Sequence, residues 1–280
     1  MQKLLLVDGS NLLFQMFYGM PSRIIGKDGH AIQGTLGFVG ALLKIIRGVR
    51  PTHVAVLFDG ECKNERKELD HDYKANRPDF SELPEDEVPF SQLPAIYAAL
   101  DCLGIKHTET TVCETDDIIA GYALNYGRDM DIVISSFDSD FFQLITDRVS
   151  ILRYRGDNSV ICTPDYIREK LGIEPHQYAD HKSLTGDSSD NIKGADKVGP
   201  KTATALIQEY GTLEGVIENA ENIKKPSVKA SILASTDRLR LNYKLIKLDG
   251  CACLPFCIDE LKYTHSGFTT TEVLRRIALI

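Results

Sequence analysis

Short apolar runs that end in aspartate set the tightest limit on how this chain can fold. Three such runs are followed closely by carboxylates: residues 3–7 by Asp8, residues 53–58 by Asp59, and residues 131–135 by Asp138 and Asp140. Apolar runs of this length are typical of buried parallel strands. The carboxyl ends of parallel strands meet at one edge of a sheet. We therefore expect an α/β fold with a central, mainly parallel sheet flanked by helices, and with these carboxylates gathered at one edge.

Three further carboxylates are crowded into the stretch Glu114, Thr115, Asp116 and Asp117, directly before the apolar residues 118–120. Like charges this close repel each other, and burying them without partners is unfavourable. A hard divalent cation removes the repulsion, because it takes oxygen ligands and neutralises them. The cluster therefore predicts a cation site at the start of a helix.

Nine carboxylates share these settings, at predicted strand ends, at a helix start or in a polar turn at residues 185–191: Asp8, Asp59, Glu114, Asp116, Asp117, Asp138, Asp140, Asp187 and Asp190. A ligand set made only of oxygen, without histidine or cysteine, selects Mg²⁺ or Mn²⁺ over zinc. So many acids indicate at least two ions. Two ions about 4 Å apart can clamp the attacking water and the leaving oxygen of a phosphodiester. The pattern thus predicts phosphodiester hydrolysis.

Other phosphate chemistries fit the sequence less well. It contains no Gly-x4-Gly-Lys-[Ser/Thr] loop and no Gly-x-Gly-x2-Gly motif after a strand. A phosphatase with an aspartyl nucleophile would need a second aspartate two residues after Asp8, where this chain has Ser10. Any one of the aspartates could simply cap a helix. It is the joint pattern that favours metal-dependent hydrolysis.

The charge distribution bears on the substrate. A net charge of −8, taken alone, argues against a nucleic-acid partner, which usually selects a basic protein. The basic residues, however, concentrate in residues 63–77, which would reach over the sheet edge, and in residues 193–202, which would grip a phosphate backbone. Tyr73 could stack on an unpaired base or simply pack, and Lys201 could bind phosphate or be solvated.

The rest of the chain alternates strands and helices as far as residue 162 and is helical beyond it. We expect helices from Leu12, with Ser10 or Asn11 as cap, and at 35–47, 95–103 and 115–126, with strands at 105–110 and 149–154. Further helices are expected from Pro164, after the turn at 198–200, within 212–248 and at 270–279, with an extended segment at 253–262. We therefore divide the chain into a body at 1–170 and a second region at 171–280.

Seven blocks, in order along the whole chain, resemble the motifs of the bacterial 5′ nucleases, which include the N-terminal domain of DNA polymerase I and stand-alone flap endonucleases. The blocks are Val7-Asp8-Gly9-Ser10-Asn11, Phe58-Asp59, Tyr73-Lys74-Ala75-Asn76-Arg77-Pro78, Glu114-Thr115-Asp116-Asp117, Asp138-Ser139-Asp140, Gly186-Asp187-Ser188-Ser189-Asp190-Asn191 and Val198-Gly199-Pro200-Lys201-Thr202-Ala203. The resemblance implies a PIN-like α/β body, a helical arch at about residues 61–94, and a C-terminal helix-hairpin-helix (three-turn-helix) region that binds duplex DNA. Phe137, where the family often has glycine, and the acidic Asp196 depart from the pattern without removing a ligand.

The resemblance also implies roles for the matched residues. Asp8, Asp59, Glu114 and Asp116 would hold the first metal, Asp138, Asp140, Asp187 and Asp190 the second, with Asp117 between the two or just outside them. Lys74 and Arg77 would contact the scissile phosphate beside the catalytic carboxylates Asp116 and Asp138, and Tyr73 would meet the base at the junction. Lys197, Val198, Gly199, Lys201 and Thr202 would bind the duplex backbone, where main-chain carbonyls could also hold a K⁺ ion.

Together these features predict a Mg²⁺-dependent 5′ nuclease that cuts 5′ flaps and shortens 5′ ends of DNA in replication and repair, leaving a 5′-phosphate and a 3′-hydroxyl. Mn²⁺ could replace Mg²⁺. The expected substrate is branched or 5′-ended duplex DNA, and the expected protein is a stand-alone monomer. Two alternatives stay open: a PIN-type ribonuclease, and a non-catalytic DNA-junction binding module whose acidic cluster is structural.

Two further expectations concern location and cysteine chemistry. No apolar run is long enough to span a bilayer, and the N-terminus lacks a signal-peptide cleavage site, so we expect a cytoplasmic, nucleoid-associated protein. Seven cysteines without a spaced framework indicate free thiols in a reducing compartment. Cys251, Cys253 and Cys257 could hold a metal with His265, but their spacing fits no common zinc pattern.

Overall fold

A mainly parallel sheet forms the centre of the protein. The computed structural model describes residues 2–27, 29–60, 65–77, 80, 84, 87–111, 113–250 and 253–280. The strands of the sheet are β1 (Lys3–Asp8), β2 (His53–Asp59), β3 (Lys106–Thr110), β4 (Asp131–Ser135), β5 (Val149–Arg153) and β6 (Val160–Cys162). Within these residues the six strands lie in the order β3-β2-β1-β4-β5-β6, and β6 alone is antiparallel to its neighbour. The predicted fold class is confirmed.

Helices cover both faces of the sheet and make up most of the chain beyond it. They are α1 (Gly9–Gly19), α2 (Gln33–Val49), α3 (Glu65–Leu69), α4 (Leu93–Cys102), α5 (Thr115–Tyr126), α6 (Pro164–Leu171), α7 (Tyr178–Thr185), α8 (Pro200–Tyr210), α9 (Leu213–Glu218), α10 (Pro226–Ile246) and α11 (Thr270–Arg276). None of the helices in the described ranges is long and apolar enough to cross a membrane.

The strand order creates a crevice beside β1. The chain builds β1, β2 and β3 outwards in one direction, then crosses to the other side of β1 to add β4 and β5. The register pairs Val7 with both Val56 and Ser135, so three carboxyl ends lie side by side. In open α/β sheets, sites form outside the carboxyl ends where the strand order reverses. The loops that follow β1, β2 and β4 therefore border one crevice, as the aspartates after the apolar runs predict.

The two faces of the sheet bury separate apolar clusters. Successive residues of a strand point to opposite faces. Leu4 and Leu6 pack with α5 and the C-terminal helices, whereas Leu5 and Val7 pack with α1, α2 and α4. All four side chains are fully buried. Truncating such a core leucine to alanine typically costs about 2–5 kcal/mol, so β1 is held rigidly beneath the crevice.

The start of α1 corrects one prediction. Asp8, and not Ser10 or Asn11, is the cap, because its Oδ1 accepts a hydrogen bond from the Asn11 main-chain N–H at 2.9 Å. Ser10 Oγ instead accepts from the main-chain N–H of Asp59 at 2.8 Å, and Asn11 Oδ1 accepts from that of Phe137 at 3.1 Å. The two side chains thus hold the loops after β2 and β4 against the end of β1.

The polar turn predicted at residues 185–191 also needs correction. Its ends are two short strands, β7 (Gly186–Asp187) and β8 (Ile192–Lys193), which pair as an antiparallel hairpin. Gly186 has a φ of +79°, and a Cβ on Gly194 would lie 2.3 Å from the carbonyl carbon of Thr185. Only glycine fits either position without strain. The hairpin can therefore pass close against the end of α7.

The insertion predicted at about residues 61–94 is described in part. It contains α3, a series of turns at residues 70–77 and a 3₁₀ turn at Pro89–Gln92. Lys63, Pro78, and the acidic residues at positions 82, 85 and 86 lie outside the described residues. The helical arch therefore stays a prediction.

The C-terminal residues return to the sheet. A 3₁₀ turn at Ile258–Leu261 interrupts the segment predicted to be extended, and Lys262 forms a single bridge with His53. The last helix ends earlier than predicted. Cys251 lies outside the described residues, whereas Cys253 and Cys257 are exposed. The metal role of these cysteines remains only a prediction.

Candidate metal centre

Asp8 lies in the crevice and is 7% exposed. The Ser136 hydroxyl donates to its Oδ2 at 2.8 Å, which fixes the carboxylate against the loop after β4. Burial, together with the negative charges of Asp59 and Asp138, raises the pKa of Asp8 to about 7. A carboxylate whose charged form is disfavoured in this way gains strongly from a nearby cation.

Asp116 faces the same carboxylates from the first turn of α5. Burial and the negative charges of Asp138, Asp8 and Asp59 raise its pKa, against the opposing charge of Lys74. The amino end of a helix also favours negative charge at this position. Four predicted ligands, contributed by three strand ends and one helix start, are thus within electrostatic reach of each other.

Asp140, Asp187 and Asp190 form a second group. One carboxylate oxygen from each lies within 4.8 Å of the other two, a spacing that could hold a metal ion. Lys182 of α7 contacts Asp140 Oδ1 and lies 2.6 Å from Asp187 Oδ2. Burial raises the pKa of Asp140 despite this ammonium group. For Asp187 burial acts in the same direction, but Lys182 and hydrogen bonds from Ser189 outweigh it and lower the pKa.

The pKa of Asp190, the third carboxylate of this group, is also shifted. Burial raises its pKa, although Lys74 and Arg77 oppose the increase. The described ligand atoms of both groups are carboxylate oxygens, and side-chain cations contact several of them. This donor set fits hard divalent ions, whose charge would replace that of the protein's own cations.

The turn that carries Lys74 is tied to the β7-β8 hairpin. The bonds run from Lys74 N–H to Asp190 O at 3.0 Å, from Asn76 Nδ2 to Ser188 O at 2.8 Å and from Asn191 Nδ2 to Asp72 O at 2.8 Å. Lys74 itself has a φ of +56°, in the left-handed region that non-glycine residues rarely adopt. Strained backbone of this kind persists where its surroundings enforce it, and it clusters at functional sites.

Lys74 and Arg77 contact different carboxylate groups. Lys74 is buried, and its Nζ lies 2.7 Å from Glu114 Oε1. The Arg77 side chain is 54% exposed, and its Nη2 lies 3.3 Å from Asp190 Oδ1. The two cations predicted to bind phosphate therefore both border the crevice, Lys74 at Glu114 and Arg77 at Asp190.

Asp117 has a partner that the sequence does not reveal. Arg66 Nη2 donates to Asp117 Oδ1 at 2.9 Å and Nη1 donates to Oδ2 at 2.6 Å. The same Nη1 lies 2.6 Å from Glu114 Oε2, and Nη2 donates to the Lys247 carbonyl at 3.3 Å. Arg66 thus engages both oxygens of Asp117 and links this carboxylate to Glu114.

Tyr73 does not have the exposure that its predicted role requires. Its side chain is 4% exposed and packs in a cluster with Ala179, Ile192 and Ile246. Its hydroxyl lies 3.4 Å from Glu114 Oε2. Because the ring has no open face here, the prediction that it stacks on an unpaired base is corrected to the packing alternative.

An open groove of about 910 Å³ lies along the predicted duplex-binding turn, lined by residues 185–188 and 191–200 together with Arg238. Helix α8 begins at Pro200, with Gly199 as its cap and no side chain bonded to its first N–H groups. Pro200 has no N–H, and the Thr202 and Ala203 N–H groups donate to the Gly199 carbonyl, so this helix start offers a phosphate chiefly its positive dipole end.

The side chains around this groove differ in accessibility. Lys197 and Lys201 are exposed, and Thr202 is half-buried. Val198 is 5% exposed and belongs to the main core cluster. The predicted DNA contact of Val198 is therefore limited to its main chain.

The Phe137 side chain fits at the position where the bacterial 5′ nucleases often have glycine. Its N–H donates to Asn11 Oδ1 at 3.1 Å, and its carbonyl accepts from Arg153 Nη2 at 3.2 Å. Its ring lies 5.0 Å from the Arg155 guanidinium. The larger side chain thus points to the surface and leaves Asp138 in the crevice.

Sequence reasoning missed three polar residues that organise the site: Arg66, Lys182 and Gln143. The hydrogen-bond partners of Lys182 and Arg66 lie 42 and 51 positions away, and one partner of Gln143 lies 103 positions away. No motif spacing links such distant residues. The available hints are the basic segment at residues 63–77, which contains Arg66, and the polar stretch Asp180-His181-Lys182-Ser183, directly before the predicted turn.

Two protein-family models match the chain. The model of the 5′-3′ exonuclease N-terminal resolvase-like domain matches residues 3–172, and the model of the 5′-3′ exonuclease C-terminal SAM fold matches residues 173–267. DNA polymerase I of Rhizobium leguminosarum is 38% identical over 266 residues, which cover 92% of this chain and 26% of that protein. The thermostable DNA polymerase I of Thermus aquaticus is 35% identical over 261 residues, covering 93% and 30%. The chain thus spans less than a third of these relatives.

Solved structures share the fold at lower identity. The T5 5′-exonuclease with bound zinc ions superposes with a TM-score of 0.73 at 21% identity, covering 99% of this chain and 97% of that one. The flap endonuclease of bacteriophage T5, in a pseudo-enzyme-product complex with DNA and metal ions, gives 0.73 at 20% identity, covering 99% and 98%. The catalytic core of Rad2 in complex with DNA substrate gives 0.62 at 16% identity, covering 99% and 93%.

Proposed function

The chain belongs to the 5′-3′ exonuclease family, and from that membership we propose that it is a divalent-metal-dependent 5′ nuclease acting on DNA. The observation that carries the proposal is the meeting of two carboxylate groups at one crevice, with Lys74 and Arg77 beside them. Mg²⁺ is the proposed ion, with Mn²⁺ as a substitute, because the ligands are carboxylate oxygens. The proposed activity covers both the removal of 5′ flaps and the shortening of 5′ ends in replication and repair.

In this proposal each carboxylate group binds metal. Asp8, Asp59, Glu114 and Asp116 hold one ion, and Asp138, Asp140, Asp187 and Asp190 hold the other. When bound, such ions stabilise the charge that develops on the phosphate and on the leaving oxygen. Asp117 remains paired with Arg66 and supports Glu114 from outside.

The cations of the crevice act on the substrate. Lys74 is held on Glu114, so a positive charge at Glu114 would release its ammonium group to donate to an oxygen of the scissile phosphate. Arg77 is half exposed and can hold a neighbouring phosphate oxygen through its planar group. The strained turn and its bonds to the β7-β8 hairpin keep both side chains at the rim of the crevice.

Duplex binding is proposed for the groove at the start of α8. Its exposed lysines and the positive end of the α8 dipole suit backbone contacts that position a duplex without reading its sequence. Main-chain carbonyls of the same turn are the proposed site for K⁺. The T5 and Rad2 structures that share this fold contain DNA, which supports the substrate class. A DNA substrate also agrees with the expected cytoplasmic, nucleoid-associated location.

The test is cleavage of a labelled 5′-flap DNA with Mg²⁺ and then with Ca²⁺. We expect product with Mg²⁺ and none with Ca²⁺. We also expect no product from Asp116→Ala combined with Asp138→Ala, and normal product from the exposed-site control Asp147→Asn. A fully active double variant would overturn the proposal. Faster cleavage of single-stranded RNA of the same sequence would favour the PIN-type ribonuclease, and tight flap binding without cleavage in Mg²⁺ or Mn²⁺ would favour the junction-binding module.

A further inference from the structure

Gln143 is a buried amide placed directly behind the second carboxylate group. It lies in the 3₁₀ turn Asp140–Leu144 and is 7% exposed. Its Nε2 donates to the carbonyl of Asp140 at 2.9 Å and to that of Ile246 at 3.0 Å, while its Oε1 accepts from the Leu248 N–H at 2.9 Å. Both ends of the amide are therefore satisfied, and they join the Asp140 turn to the end of α10.

The end of α10 serves the first carboxylate group as well. Between the two main-chain partners of Gln143 lies Lys247, whose carbonyl accepts from Arg66 at 3.3 Å. Arg66 in turn pairs with Glu114 and Asp117. Three consecutive main-chain groups at residues 246–248 thus hold Gln143, which contacts the main chain of Asp140, and Arg66, which contacts Glu114 and Asp117.

One helical turn earlier, Asn242 extends the same arrangement. It is 3% exposed, and its Nδ2 donates to the carbonyls of Ser183 at 3.0 Å and Lys193 at 2.9 Å. Ser183 follows Lys182 on α7, and Lys193 lies in β8. The last turn of α10 therefore contacts the turn, the helix and the hairpin that carry Asp140, Lys182 and Asp187.

We propose that Gln143 is a positioning residue, which fixes the Asp140 turn to the end of α10 so that Asp140 faces Asp187 and Asp190 at metal-binding distance. The turn that carries Asp140 and the hairpin that carries Asp187 and Asp190 are distant in sequence, and both contact this helix end, while Lys182 joins Asp140 to Asp187 from a third segment, α7. Buried polar networks that satisfy every member rigidify a site. Residues that orient metal ligands typically contribute 10- to 100-fold to metal affinity or activity. The expected effect of Gln143 on DNA cleavage rests on the proposed metal-dependent function, whereas its expected effect on metal affinity does not.

The experiment compares Gln143→Met with Gln177→Met. Methionine keeps the length and volume of glutamine but removes its hydrogen bonds. Gln177 is a control for the loss of the same kinds of bond, because its Nε2 donates to the Gly211 carbonyl at 2.8 Å and its Oε1 accepts from the Glu174 N–H at 3.0 Å, and neither partner belongs to the two carboxylate groups. Mn²⁺ binding is measured without DNA by electron paramagnetic resonance, thermal unfolding is recorded without metal, and flap cleavage is titrated with Mg²⁺.

The expected result is that Gln143→Met weakens Mn²⁺ binding by about 10- to 100-fold and raises the Mg²⁺ concentration for half-maximal cleavage by a similar factor. Saturating Mg²⁺ should restore most of the rate. Gln177→Met should lose stability but bind Mn²⁺ as the wild type does. Wild-type Mn²⁺ affinity in Gln143→Met would overturn the inference, even if that variant melts earlier.

A second variant covers the case in which Gln143→Met does not fold. Gln143→Glu keeps the acceptor for the Leu248 N–H but places an oxygen against the carbonyls of Asp140 and Ile246. We expect it to weaken Mn²⁺ binding as strongly as the methionine variant, and unchanged binding would again overturn the inference. If the wild type cleaves no DNA, the proposed function fails, while the Mn²⁺ titration still decides the role of Gln143.

Discussion

Arg66 Nη1 and Nη2 donate hydrogen bonds to the two carboxylate oxygens of Asp117, at 2.6 and 2.9 Å, and Nη1 also lies 2.6 Å from Glu114 Oε2. Part of the positive charge that neutralises the acidic cluster at the start of α5 therefore comes from a side chain of the protein itself. The cation comes from the insertion over the sheet edge. Arg66 thus connects this insertion to the charge balance of the crevice, as Lys74 does through its own contact with Glu114.

We predict that Arg66→Ala lowers the free energy of unfolding in metal-free buffer by about 2–3 kcal/mol, because it removes the guanidinium that bonds both oxygens of the partly buried Asp117 and leaves Glu114 to Lys74. Added Mg²⁺ should then recover more stability in the variant than in the wild type, since the ion replaces the missing charge. Arg66→Lys should recover less than half of the loss, because an ammonium group cannot bond both oxygens of Asp117 side by side. Chemical denaturation with and without Mg²⁺ measures all three.

Lys67→Ala is the control for this comparison, because Lys67 is exposed on the same short helix. A substitution there should change stability by no more than about 0.5 kcal/mol. If Arg66→Ala is as stable as Lys67→Ala in metal-free buffer, the ion pair contributes nothing to the charge balance of the crevice.

The second prediction concerns Lys74. We expect Lys74→Ala to lower the single-turnover cleavage rate about 100-fold, a typical loss when one donor to a developing charge is removed. Binding of a 5′ flap should weaken less than about 5-fold, since many phosphate contacts remain. Rapid-quench kinetics and fluorescence anisotropy in Ca²⁺ separate the two effects. Equal losses in rate and binding would argue that Lys74 only holds the substrate.

Strand and helix positions were predictable because each depends on local pattern. The strand at residues 131–135 has the predicted bounds, since a short apolar run between polar residues leaves no other choice. The crevice was equally predictable, because parallel strands bring the residues after them to one edge. The residue that caps α1 could not be predicted in this way. Ser10 and Asn11 are common cap residues, but their side chains accept hydrogen bonds from β2 and from the loop after β4 instead.

Side-chain partners across the site were beyond the reach of sequence patterns. Lys182 contacts Asp140 only because α7 and the turn after β4 pack together, and neither segment signals the other. The burial of Tyr73 was equally impossible to predict from its motif. Its motif suggests a contact with DNA, whereas the long-range packing of α7, β8 and α10 around it buries the ring. Motifs identified the candidate site residues, and tertiary contacts determined which of them are accessible.

The third prediction uses the raised pKa of Asp8. The folded value is about 7, against about 3.9 for an unfolded chain, so the folded state binds the proton more tightly. The resulting contribution to stability is fully present below the unfolded value and is lost as pH rises through 7. In metal-free buffer, Asp8→Asn should therefore gain stability relative to the wild type by about 2–3 kcal/mol between pH 5 and pH 8.

Denaturation curves at four pH values test this, with Asp147→Asn as an exposed control that should show no such trend. Saturating Mg²⁺ at pH 8 should reverse the order, because the ion stabilises the charged form of Asp8 and not the amide. A constant difference between Asp8→Asn and the wild type across the pH range would contradict the prediction.

The last prediction concerns the groove at the start of α8. Combining Lys197→Ala with Lys201→Ala should weaken binding to duplex DNA of any sequence and reduce the slope of log affinity against log salt by about 2, which corresponds to two lost phosphate contacts. The control is Lys224→Ala with Lys225→Ala, which removes the same charge from exposed positions just before α10, about 20 Å along the helix axis from Arg238 in the groove. Anisotropy titrations from low to high salt give the slopes. Cleavage at saturating DNA should stay near the wild-type rate, because neither lysine contacts the carboxylates. Equal slopes for the two double variants would show that long-range charge, and not the groove, binds the duplex.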